Sequence, residues 1–444
     1  MHFVLNYLYP LLYTVALLLY FPIFLVRLFR GEQSWRPIWR RAGWLPRSLR
    51  ELPPKEAPRV WIHSVSVGEA NSLRPLVEQL GLSRDRLFIS TTTETGQAVA
   101  RRLYSEEATV FFFPLDWKAS CRRYLRAVAP DLVILTETEL WPSFIHCVRT
   151  ARIPLLLVNG RVSRRSFKGY QRIGFLTSWM LKTFCKLGMQ TREDRDRVVR
   201  LGGPADRIHW IGNLKFDYSL PENPTARAAV RQVGVALGQE KGHLIWVCGS
   251  THKGEEAILL DVFLALQKEF DHLRWVVAPR HPHRSDSVTR LLKASSLRVI
   301  RRSQLENYES IDPQVVLMDT IGELSHLYEI ADLVFVGGSL TPVGGHNLIE
   351  AAHFKKPILF GPHMDNFKEV SEVFLGSYGA LQVQTAQELH SKMRELLRDA
   401  STRRWLGGNA RRVIRDNQGA VRRTIELVHH CAPQLSKPGG GGQA

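Results

Sequence analysis

The stretch "WIHSVSVGEANSLRPL", from Trp61 to Leu76, contains a short apolar run, a turn of small residues and then a helical pattern. This order is typical of a nucleotide-binding Rossmann-like unit, in which glycines in the turn leave backbone N–H groups free to hold a phosphate. Here the turn has one glycine, Gly68, and the carboxylate of Glu69 follows it. The spacing leaves two interpretations of Glu69 open: an N3 partner of Ser66 in a capping box, or a general base.

The same alternation of apolar runs and helical patterns continues along the chain, which indicates parallel sheets covered by helices on both faces. In the first half, strands are predicted at Val60–Ser64, Leu87–Thr91, Val110–Phe113, Leu132–Leu135, Leu155–Val158 and, more weakly, Ile208–Ile211. Helices are predicted there at Ala70–Leu80, Gly96–Tyr104 and Ala119–Val128. In the second half, strands are predicted at Leu244–Cys248, Trp275–Ala278, Val315–Met318, Leu333–Val336 and Pro357–Phe360, and final helices at about Glu388–Leu397 and Ser401–Asp416.

The halves are divided at "YSLPENPTARAAV", which begins at Tyr218 and has the prolines and polar residues typical of a linker. We therefore predict an N-terminal Rossmann-like domain at 31–217, a linker at 218–240 and a second Rossmann-like domain at 241–430. Residues 1–30 are predicted to be a membrane anchor, and residues 431–444 a flexible tail. Two such domains facing each other would form a cleft.

The N-terminal segment has no charged residue from Phe3 to Val26. As a helix it would be about 36 Å long, against about 30 Å of bilayer hydrocarbon. By the positive-inside rule, the arginines that follow keep this flank and the body of the chain cytoplasmic. They are Arg27, Arg30, Arg36, Arg40, Arg41, Arg47 and Arg50. The alternative is a buried core helix followed by a solvated basic loop.

The net charge and the cysteine content limit the possible partners and the kinds of site. The chain carries 60 Lys and Arg against 42 Asp and Glu, a net charge of +18, which favours an anionic partner: nucleic acid, an anionic membrane surface or a phosphorylated substrate. The 5 cysteines are scattered and form no CxxC pair, which argues against a disulfide framework and a zinc site.

The strongest local signal in the second half is "FVGGSLTPVGGHNLIEAA", from Phe335 to Ala352. Glycine-rich backbone that leads into a helix N-terminus favours a phosphate, because free N–H groups and the helix dipole both attract an anion. We predict a helix that begins near His346 or Asn347, with Glu350 in its first turn and able to accept from ribose hydroxyls. The alternative is a glycine turn and a capping box formed by Asn347 and Glu350.

Other loops of the second half also follow predicted strands. "VVAPRHPHR" places Arg280 just past a strand end, where its planar guanidinium suits a phosphate or a carboxylate. "MDTIGEL" contributes Gly322 and Glu323, and "CGSTHKGEE" forms a further loop. Several such loops in one half predict one nucleotide site.

In the first half, "LTETELWP" places Glu137 and Glu139 at a strand end, where they either pair with cations or line a site. "GNLKFD" places Lys215 at the predicted domain junction. "NGRVSRRSFKGY" supplies a basic cluster that either grips an acceptor phosphate or is a solvated face. This cluster consists of Arg161, Arg164, Arg165 and Lys168.

Taken together, these motifs resemble the 3-deoxy-D-manno-octulosonic acid (Kdo) transferases of lipopolysaccharide assembly. Matching stretches run in the family's order from the N-terminal anchor to near Asn417. They are HSVSVGE, TTTETGQ, FPLDW, ETELWP, NGRVSRRS, GNLKFD, GSTHKGEE, PRHPHR, DTIGEL, FVGGSLTPVGGHNLIEAA and FGPHMDNF.

The resemblance implies an α/β GT-B fold of two Rossmann-like domains facing a central cleft, with an N-terminal membrane-anchoring helix. It implies an inverting glycosyltransferase at the cytoplasmic face of the bacterial inner membrane, with CMP-Kdo as donor and a lipid A precursor (lipid IVA) as acceptor. Anionic inner-membrane lipids are expected partners, and no cofactor or metal is expected. The first domain would bind the acceptor and the second the CMP-sugar.

The resemblance also implies roles for residues. Glu69 would be the general base, and Glu137 and Lys215 would stabilise the transition state. CMP would be held by Pro279 and Arg280, by the turn Ile321, Gly322 and Glu323, and by the segment Asn347, Leu348, Ile349 and Glu350.

Two kinds of alternative remain at this stage. Another GT-B nucleotide-sugar transferase or an epimerase would use a similar fold and a different nucleotide. A basic, membrane-associated nucleic-acid-binding protein would use the charge of +18. Because the basic residues crowd the segment next to the anchor and no DNA- or RNA-binding motif is visible, we expect no nucleic-acid partner.

Overall fold

The structure is a computed structural model that describes residues 3–30, 36–218, 220, 222–307 and 312–435. The chain divides into two compact units. Unit 1 comprises Met1–Tyr218 and Asn417–Ala444, and unit 2 comprises Ser219–Asp416. Residues 436–444 of the predicted tail lie outside the described residues, whereas residues 433–435 form a 3₁₀ turn.

Within the described residues, unit 1 contains a parallel sheet of seven strands in the order β3-β2-β1-β4-β5-β6-β7. The strands are β1 (Val60–His63), β2 (Leu87–Thr91), β3 (Thr109–Phe112), β4 (Leu132–Thr136), β5 (Leu155–Gly160), β6 (Lys186–Met189) and β7 (Ile208–Trp210). All six strands predicted here are present. The sequence prediction missed β6, because its core "KLGM" is short and contains a glycine that leaves room for Ile211.

Helices pack against both faces of this sheet through two buried clusters. The α-helices of the described residues up to Arg200 are α1 (Tyr9–Phe29), α2 (Arg36–Arg41), α3 (Arg47–Arg50), α4 (Val67–Ser72), α5 (Arg74–Leu80), α6 (Glu94–Tyr104), α7 (Lys118–Val128), α8 (Pro142–Thr150), α9 (Arg164–Arg172), α10 (Gly174–Leu181) and α11 (Arg192–Arg200). The single helix predicted at Ala70–Leu80 is instead two helices, α4 and α5. Pro75 lies in the first turn of α5, and a proline disfavours continuation of a helix through the residue before it.

The core of unit 1 is rich in aromatic side chains. Trp61 on β1 is fully buried, and its ring centroid lies 5.2 Å from those of Phe111 and Phe144. Its indole N–H donates to Ser90 on β2 at 2.7 Å, so its polar atom is satisfied inside the core. This packing fixes β1, whose carboxyl end carries the turn that contains Glu69.

Helix α1 is the one helix among the described residues that is long and apolar enough to cross a membrane, over Tyr9–Val26. Its first turns nevertheless dock on unit 1. Tyr9 donates its hydroxyl to Asp116 at 2.7 Å, and the Asp116 N–H donates to the Tyr13 hydroxyl at 3.3 Å. Trp117 Nε1 donates to Thr14 at 3.3 Å. The same Asp116 carboxylate accepts two backbone N–H groups at the start of α8, so Asp116 links α1 to α8.

Unit 2 contains a second parallel sheet of seven strands within the described residues, in the order β10-β11-β9-β8-β12-β13-β14. Its strands are β8 (Leu244–Thr251), β9 (Leu273–Pro279), β10 (Val299–Arg301), β11 (Val315–Leu317), β12 (Leu333–Val336), β13 (Ile358–Phe360) and β14 (Leu381–Gln382). The five predicted strands are present. The two strands that the prediction missed, β10 and β14, are the short edges of the sheet.

The helices of unit 2 are α12 (Pro224–Ala236), α13 (Glu255–Gln267), α14 (Ser285–Lys293), α15 (Leu324–Ile330), α16 (Ile349–His353), α17 (Lys368–Gly376), α18 (Ala386–Arg398) and α19 (Ala400–Asn417). Much of the predicted linker 218–240 is therefore helical, because Asn223 caps the N-terminus of α12 and Pro224 suits its first position.

The last helix, α20 (Ala420–Cys431), belongs to unit 1. Its buried residues, including Val421, Leu427 and Val428, pack in one cluster with Ile62 and Leu156 of the first sheet. Asp217 accepts the N–H groups of Gly419 and Val421 at the start of α20. The boundary predicted at residue 430 thus differs from the division of the chain, which returns to unit 1 at Asn417.

Candidate active site

In each sheet the strand order reverses at a central pair of strands, and the carboxyl ends at such a switch point are where open α/β sheets bind ligands. In unit 1 the reversal falls between β1 and β4. The turn that contains Glu69 follows β1, and Glu137 follows β4. The topology therefore places two predicted catalytic residues at the one edge of this sheet that favours a ligand.

Hydrogen bonds hold the Glu69 carboxylate in place. Its Oε2 accepts the Val65 N–H and the Thr136 hydroxyl, each at 2.8 Å, and its Oε1 accepts the Ser66 hydroxyl at 3.0 Å. The side chain is 6% exposed. A carboxylate has about four lone-pair sites, so these three donors leave one site on Oε1 for a proton.

The predicted cap is also present. Ser66 is the N-cap of α4, and its side chain accepts the Glu69 N–H at 3.3 Å. Glu69 reaches back to the N–H of Val65, one residue earlier than in the usual capping box. The two interpretations of Glu69 are thus compatible, because the cap uses only part of the carboxylate.

Thr136 is a contributor that the sequence prediction missed. It is the last residue of β4, and its hydroxyl lies 2.8 Å from Glu69 Oε2 and 2.9 Å from the His63 carbonyl. One hydroxyl proton serves one acceptor at a time. Thr136 therefore connects the ends of β4 and β1 directly at the switch point.

Glu139 is a second carboxyl group near the candidate base. Burial raises its pKa to about 7, and the negative charge of Glu69 adds to the rise. A like charge nearby disfavours ionisation, so near neutral pH a substantial fraction of Glu139 is protonated. The carboxyl group of Glu139, partly protonated near neutral pH, therefore lies close enough to interact with that of Glu69 at this end of the sheet.

The loop after β4 has a constrained backbone. Glu137 is half-buried with φ of 54°, a left-handed conformation that is uncommon for a residue with a side chain. Its N–H donates to the Val158 carbonyl at 3.0 Å. The next residue, Thr138, forms hydrogen bonds with the Arg161 backbone and accepts the Tyr170 hydroxyl at its carbonyl. The Glu137 loop is thereby joined to the basic helix α9.

Lys215 is positioned by a chain of amide side chains. Asn213 donates to Gln190 at 3.1 Å, and Gln190 donates to the Asn159 carbonyl at 3.0 Å. Asn159, at the carboxyl end of β5 with φ of 53°, accepts the Leu214 N–H at 3.1 Å. These three side chains come from the ends of β5, β6 and β7 and set the backbone around half-buried Lys215.

In unit 2 the reversal falls between β8 and β12. The loop that contains His252 follows β8, the glycine-rich loop follows β12, and Pro279 and Arg280 follow the adjacent strand β9. Pro279 is the buried last residue of β9, and Arg280 is exposed, with its N–H bound to the Thr251 carbonyl at 3.0 Å. The predicted nucleotide loops thus gather at the switch point of this sheet.

The glycine-rich loop differs from the predicted phosphate cradle. Its N–H groups at Gly338, Ser339 and Leu340 all donate to the Glu255 carboxylate, at 2.7 to 2.9 Å. The Gly345 N–H donates to the Gly338 carbonyl at 2.7 Å. The prediction that these glycines free their N–H groups for a phosphate is therefore wrong for Gly338 and Gly345, because a buried carboxylate of the same unit binds the first N–H group and a carbonyl of the loop binds the second.

The segment Asn347–Glu350 also differs from the prediction in one respect. The helix, α16, begins at Ile349, and Asn347 lies before it, accepting the Ile349 N–H at 3.1 Å. Asn347 donates to Glu350 at 3.2 Å. The side chains of Leu348 and Ile349 are fully buried, so only their backbone is available to a ligand. Burial raises the pKa of Glu350 to about 7, although Asn347 and Arg280 oppose the rise.

The turn of Ile321, Gly322 and Glu323 is exposed at its tip. Ile321 is 86% exposed, and Gly322 has φ of 92°, which a glycine adopts without strain. The Glu323 carboxylate accepts the Thr320 hydroxyl at 2.9 Å and lies 3.3 Å from Arg302. The turn therefore exposes the apolar side chain of Ile321 and the backbone of Gly322, while contacts with Thr320 and Arg302 hold the Glu323 carboxylate in place.

Comparison with known proteins identifies the family. Residues 37–218 match the family model described as 3-Deoxy-D-manno-octulosonic-acid transferase (kdotransferase). The 3-deoxy-D-manno-octulosonic acid transferase of Haemophilus influenzae is 34% identical over 379 residues, which cover 85% of this chain and 87% of that protein. The transferase of the same name from Bordetella pertussis is 31% identical over 414 residues, covering 89% and 95% of the two chains.

Solved structures agree at the level of the fold. A glycosyltransferase from Rickettsia africae has a TM-score of 0.54 at 15% identity, covering 85% of this chain and 99% of its own. UDP-GlcNAc 2-epimerase from Neisseria meningitidis has a TM-score of 0.52 at 13% identity, covering 84% and 100%. These likenesses confirm an α/β fold of the GT-B type. The sequence relatives add the family, and the chain belongs to the 3-deoxy-D-manno-octulosonic acid transferases, a family of glycosyltransferases.

Proposed function

We propose that this chain transfers Kdo from CMP-Kdo to a hydroxyl group of a phosphorylated lipid A precursor, with inversion at the anomeric carbon. Glu69 Oε1 takes the proton of the acceptor hydroxyl as that oxygen forms a bond to the anomeric carbon. The bond between this carbon and the phosphate oxygen breaks on the opposite face, and CMP leaves with the electron pair. The observation that carries this proposal is the Glu69 carboxylate, held by three donors with one lone-pair site unused.

Charged side chains are assigned to the charges that develop during transfer. Glu137 stabilises the positive charge on the sugar ring, and Lys215 the negative charge of the Kdo carboxylate or of the leaving phosphate. Arg280, exposed beyond the end of β9, binds the phosphate of CMP. The remaining donor contacts are assigned to Pro279, to Ile321, Gly322 and Glu323, and to Asn347, Leu348, Ile349 and Glu350. We propose that the reaction uses no metal or other cofactor.

The acceptor is assigned to helix α9 and the residues that follow it. Arg164, Arg165 and Lys168 are exposed on α9, and the Thr138 contacts join this helix to the Glu137 loop. Beyond α9, Ile173 is 50% exposed and Phe175 is 69% exposed. Basic side chains followed by exposed apolar ones suit a lipid that carries phosphates and acyl chains. These features favour the phosphate-gripping interpretation of the basic cluster over a merely solvated face.

Product analysis tests the reaction. The full chain, in detergent, is incubated with CMP-Kdo and a lipid A precursor, and the lipid is examined by mass spectrometry. We expect the mass of the acceptor to rise by Kdo units. A thermal-shift comparison of CMP, UDP, GDP and ADP should show stabilisation by CMP above the others. Stabilisation by UDP instead, without Kdo transfer, would favour the alternative of another GT-B transferase or an epimerase.

We propose that α1 anchors the enzyme at the cytoplasmic face of the inner membrane and lies in one leaflet. With Tyr9, Tyr13 and Thr14 held on unit 1, the helix up to Val26 has about 12 residues left, or about 18 Å. The hydrocarbon core is about 30 Å thick. Leu18 and Leu19, 65% and 73% exposed, would enter the leaflet, and the net charge of +18 would favour anionic lipids.

Cysteine labelling distinguishes the two arrangements of α1. Tyr7 is 62% exposed just before the docked turns, so Tyr7→Cys reports the side of the membrane on which this end lies. We expect an impermeant maleimide to label it in inside-out vesicles and not in intact spheroplasts. Ser105→Cys, exposed on unit 1, is the matched cytoplasmic control. Labelling of Tyr7→Cys in intact spheroplasts would show that the helix crosses the membrane.

A further inference from the structure

Three histidines from separate loops meet at the switch point of unit 2. His252 follows β8, His281 follows β9, and His346 lies in the loop after β12. The Nε2 atoms of His252 and His346 are 2.9 Å apart, and their rings are stacked with centroids 5.2 Å apart. The ring of His281 lies 5.6 Å from that of His252.

A glycine makes this arrangement possible. Gly338 has φ of +67°, and a Cβ there would lie 3.0 Å from His346 Cδ2 and 3.4 Å from His252 Cδ2. Any larger residue would be strained in its backbone and would press on the facing rings. The glycine-rich loop, whose N–H groups are bound to Glu255, therefore serves here to admit the two imidazoles.

Burial and nearby positive charges disfavour protonation of His252 and His346, and the same positive charges attract an anion. Burial, Arg280, His252 and His281 together lower the pKa of His346 to about 3. Burial and His281 lower the pKa of His252, and Arg284 and Arg280 act in the same direction, against Glu256.

The nearby carboxylates do not cancel this positive environment. Glu255 is fully buried and accepts four backbone N–H groups, from His252, Gly338, Ser339 and Leu340. Glu256 pairs with Arg284 through two hydrogen bonds of 2.7 and 3.1 Å. Glu350 faces Arg280 from α16 with its pKa raised to about 7 by burial. Arg280 and His281 thus remain as exposed positive or protonatable groups beside the pair.

We propose that the His252–His346 pair is the site that receives the phosphate of the donor nucleotide, and that it takes up a proton as the phosphate binds. This inference rests on the proposed use of a CMP-sugar donor. In the neutral pair, one Nε2–H is donated to the other Nε2. When a proton binds the accepting Nε2, that bond breaks, and both Nε2–H groups are then free to donate to the anion.

An arriving phosphate supplies the reason for the uptake. Its negative charge offsets Arg280 and His281, so the charged form of an imidazole becomes favourable again. The protonated pair then gives the leaving phosphate a second cationic partner besides Arg280. In this proposal the two imidazoles bind the phosphate in place of the backbone N–H groups of the glycine-rich loop, which are bound to Glu255.

Calorimetry tests this proposal. The full chain is titrated with CMP at about pH 7.5, where the phosphate is mostly dianionic because its second pKa is about 6. Titrations in buffers of different ionisation enthalpy give the number of protons exchanged. We expect net uptake approaching about one proton per CMP, and tighter CMP binding as the pH falls from 8 toward 7. Cytidine, which lacks the phosphate, should bind without uptake.

Variants of His252 and His346 test whether the proton taken up on CMP binding goes to this pair. His346→Gln and His252→Gln should bind CMP more weakly and abolish the uptake, whereas His272→Gln, at the amino-terminal edge of β9, should behave as wild type. Unchanged uptake in folded pair variants, or equal uptake with cytidine, would overturn the proposal. If the pair variants do not fold, the wild-type comparison of CMP with cytidine decides. Absence of any CMP binding would instead contradict the proposed function.

Discussion

At the residue scale, Glu69 owes its position to contacts of two kinds. The Ser66 contacts are local, and the spacing of Ser66 and Glu69 predicts them from sequence. The Thr136 contact joins residues 67 positions apart, so it depends on the pairing of β1 with β4. No spacing rule reveals such a partner, although the position of Thr136 at the end of a predicted strand does place it at the correct edge.

Thr136→Val tests the long-range contact. Valine keeps the shape and removes the hydroxyl donor, so the Glu69 carboxylate loses one of three donors and its orientation. We expect kcat to fall about tenfold, equivalent to about 1.4 kcal/mol, with little change in KM for CMP-Kdo. Steady-state kinetics of the full chain measure this. Thr136→Ser, which keeps the hydroxyl, is the control; an equal loss in both variants would contradict the assignment.

The raised pKa of Glu139 predicts a pH dependence of stability. The folded chain holds this proton up to about pH 7, whereas the unfolded chain releases it near the ordinary value of 4.5. The stability linked to Glu139 is therefore fully present below about pH 4.5 and is lost as the pH rises through 7. Glu139→Gln removes this loss, so we expect its melting temperature to exceed that of wild type by a few degrees at about pH 8.

The same comparison at about pH 3.5, below the ordinary value of 4.5, supplies the control, because there both the folded and the unfolded chain are largely protonated at Glu139 and the difference should nearly vanish. Differential scanning calorimetry in one detergent at both pH values makes the measurement. A variant that is equally stabilised at both pH values, or destabilised at pH 8, would show that burial does not hold the Glu139 proton.

At the element scale, the glycine-rich loop after β12 has the sequence of a phosphate-binding loop but uses several of its N–H groups to bind a carboxylate of the same unit. Its composition is typical of a phosphate cradle, and its place at a switch point is as expected. Its N–H groups nevertheless bind Glu255, which is 83 to 85 positions away in sequence. Because an internal carboxylate satisfies the same donors as a phosphate, the motif alone does not distinguish the two.

Glu255→Gln tests this internal anion. Glutamine accepts with one oxygen and brings an NH₂ group against N–H donors, so some buried N–H groups lose their partner. We expect a loss of about 2–4 kcal/mol in the free energy of unfolding of unit 2. Urea unfolding of the full chain measures it, with the exposed Glu372→Gln as the control. Unchanged stability would mean that the loop does not depend on this carboxylate.

At the scale of the whole molecule, the alternation of apolar runs and helical patterns predicts both sheets. Interior strands such as Leu87–Thr91 and Leu333–Val336 have the predicted bounds, because a strand buried on both faces is mostly apolar. The strands that the prediction missed are short or glycine-containing, and two of them are sheet edges. The return of α20 to unit 1 was also missed, because an amphipathic helix does not reveal which sheet it covers.

The candidate site was likewise predicted in part. The loops at the two switch points were predicted from strand ends, and so were Glu69, Glu137, Arg280 and the turn at Gly322. What the sequence does not reveal is how side chains from different loops combine. The Thr136–Glu69 hydrogen bond, the N–H contacts of Glu255 and the His252–His346 pair all depend on the strand order, which places distant loops side by side.

Glu69 is the proposed general base, and the turnover of Glu69→Gln tests this role most directly. Glutamine keeps the size of the side chain and cannot accept the acceptor's proton at neutral pH. We expect Kdo transfer to fall at least about 100-fold while CMP binding and the circular dichroism spectrum stay as in wild type. Glu193→Gln, an exposed glutamate in the first turn of α11, should keep full activity. A folded Glu69→Gln enzyme with turnover close to wild type would contradict the account.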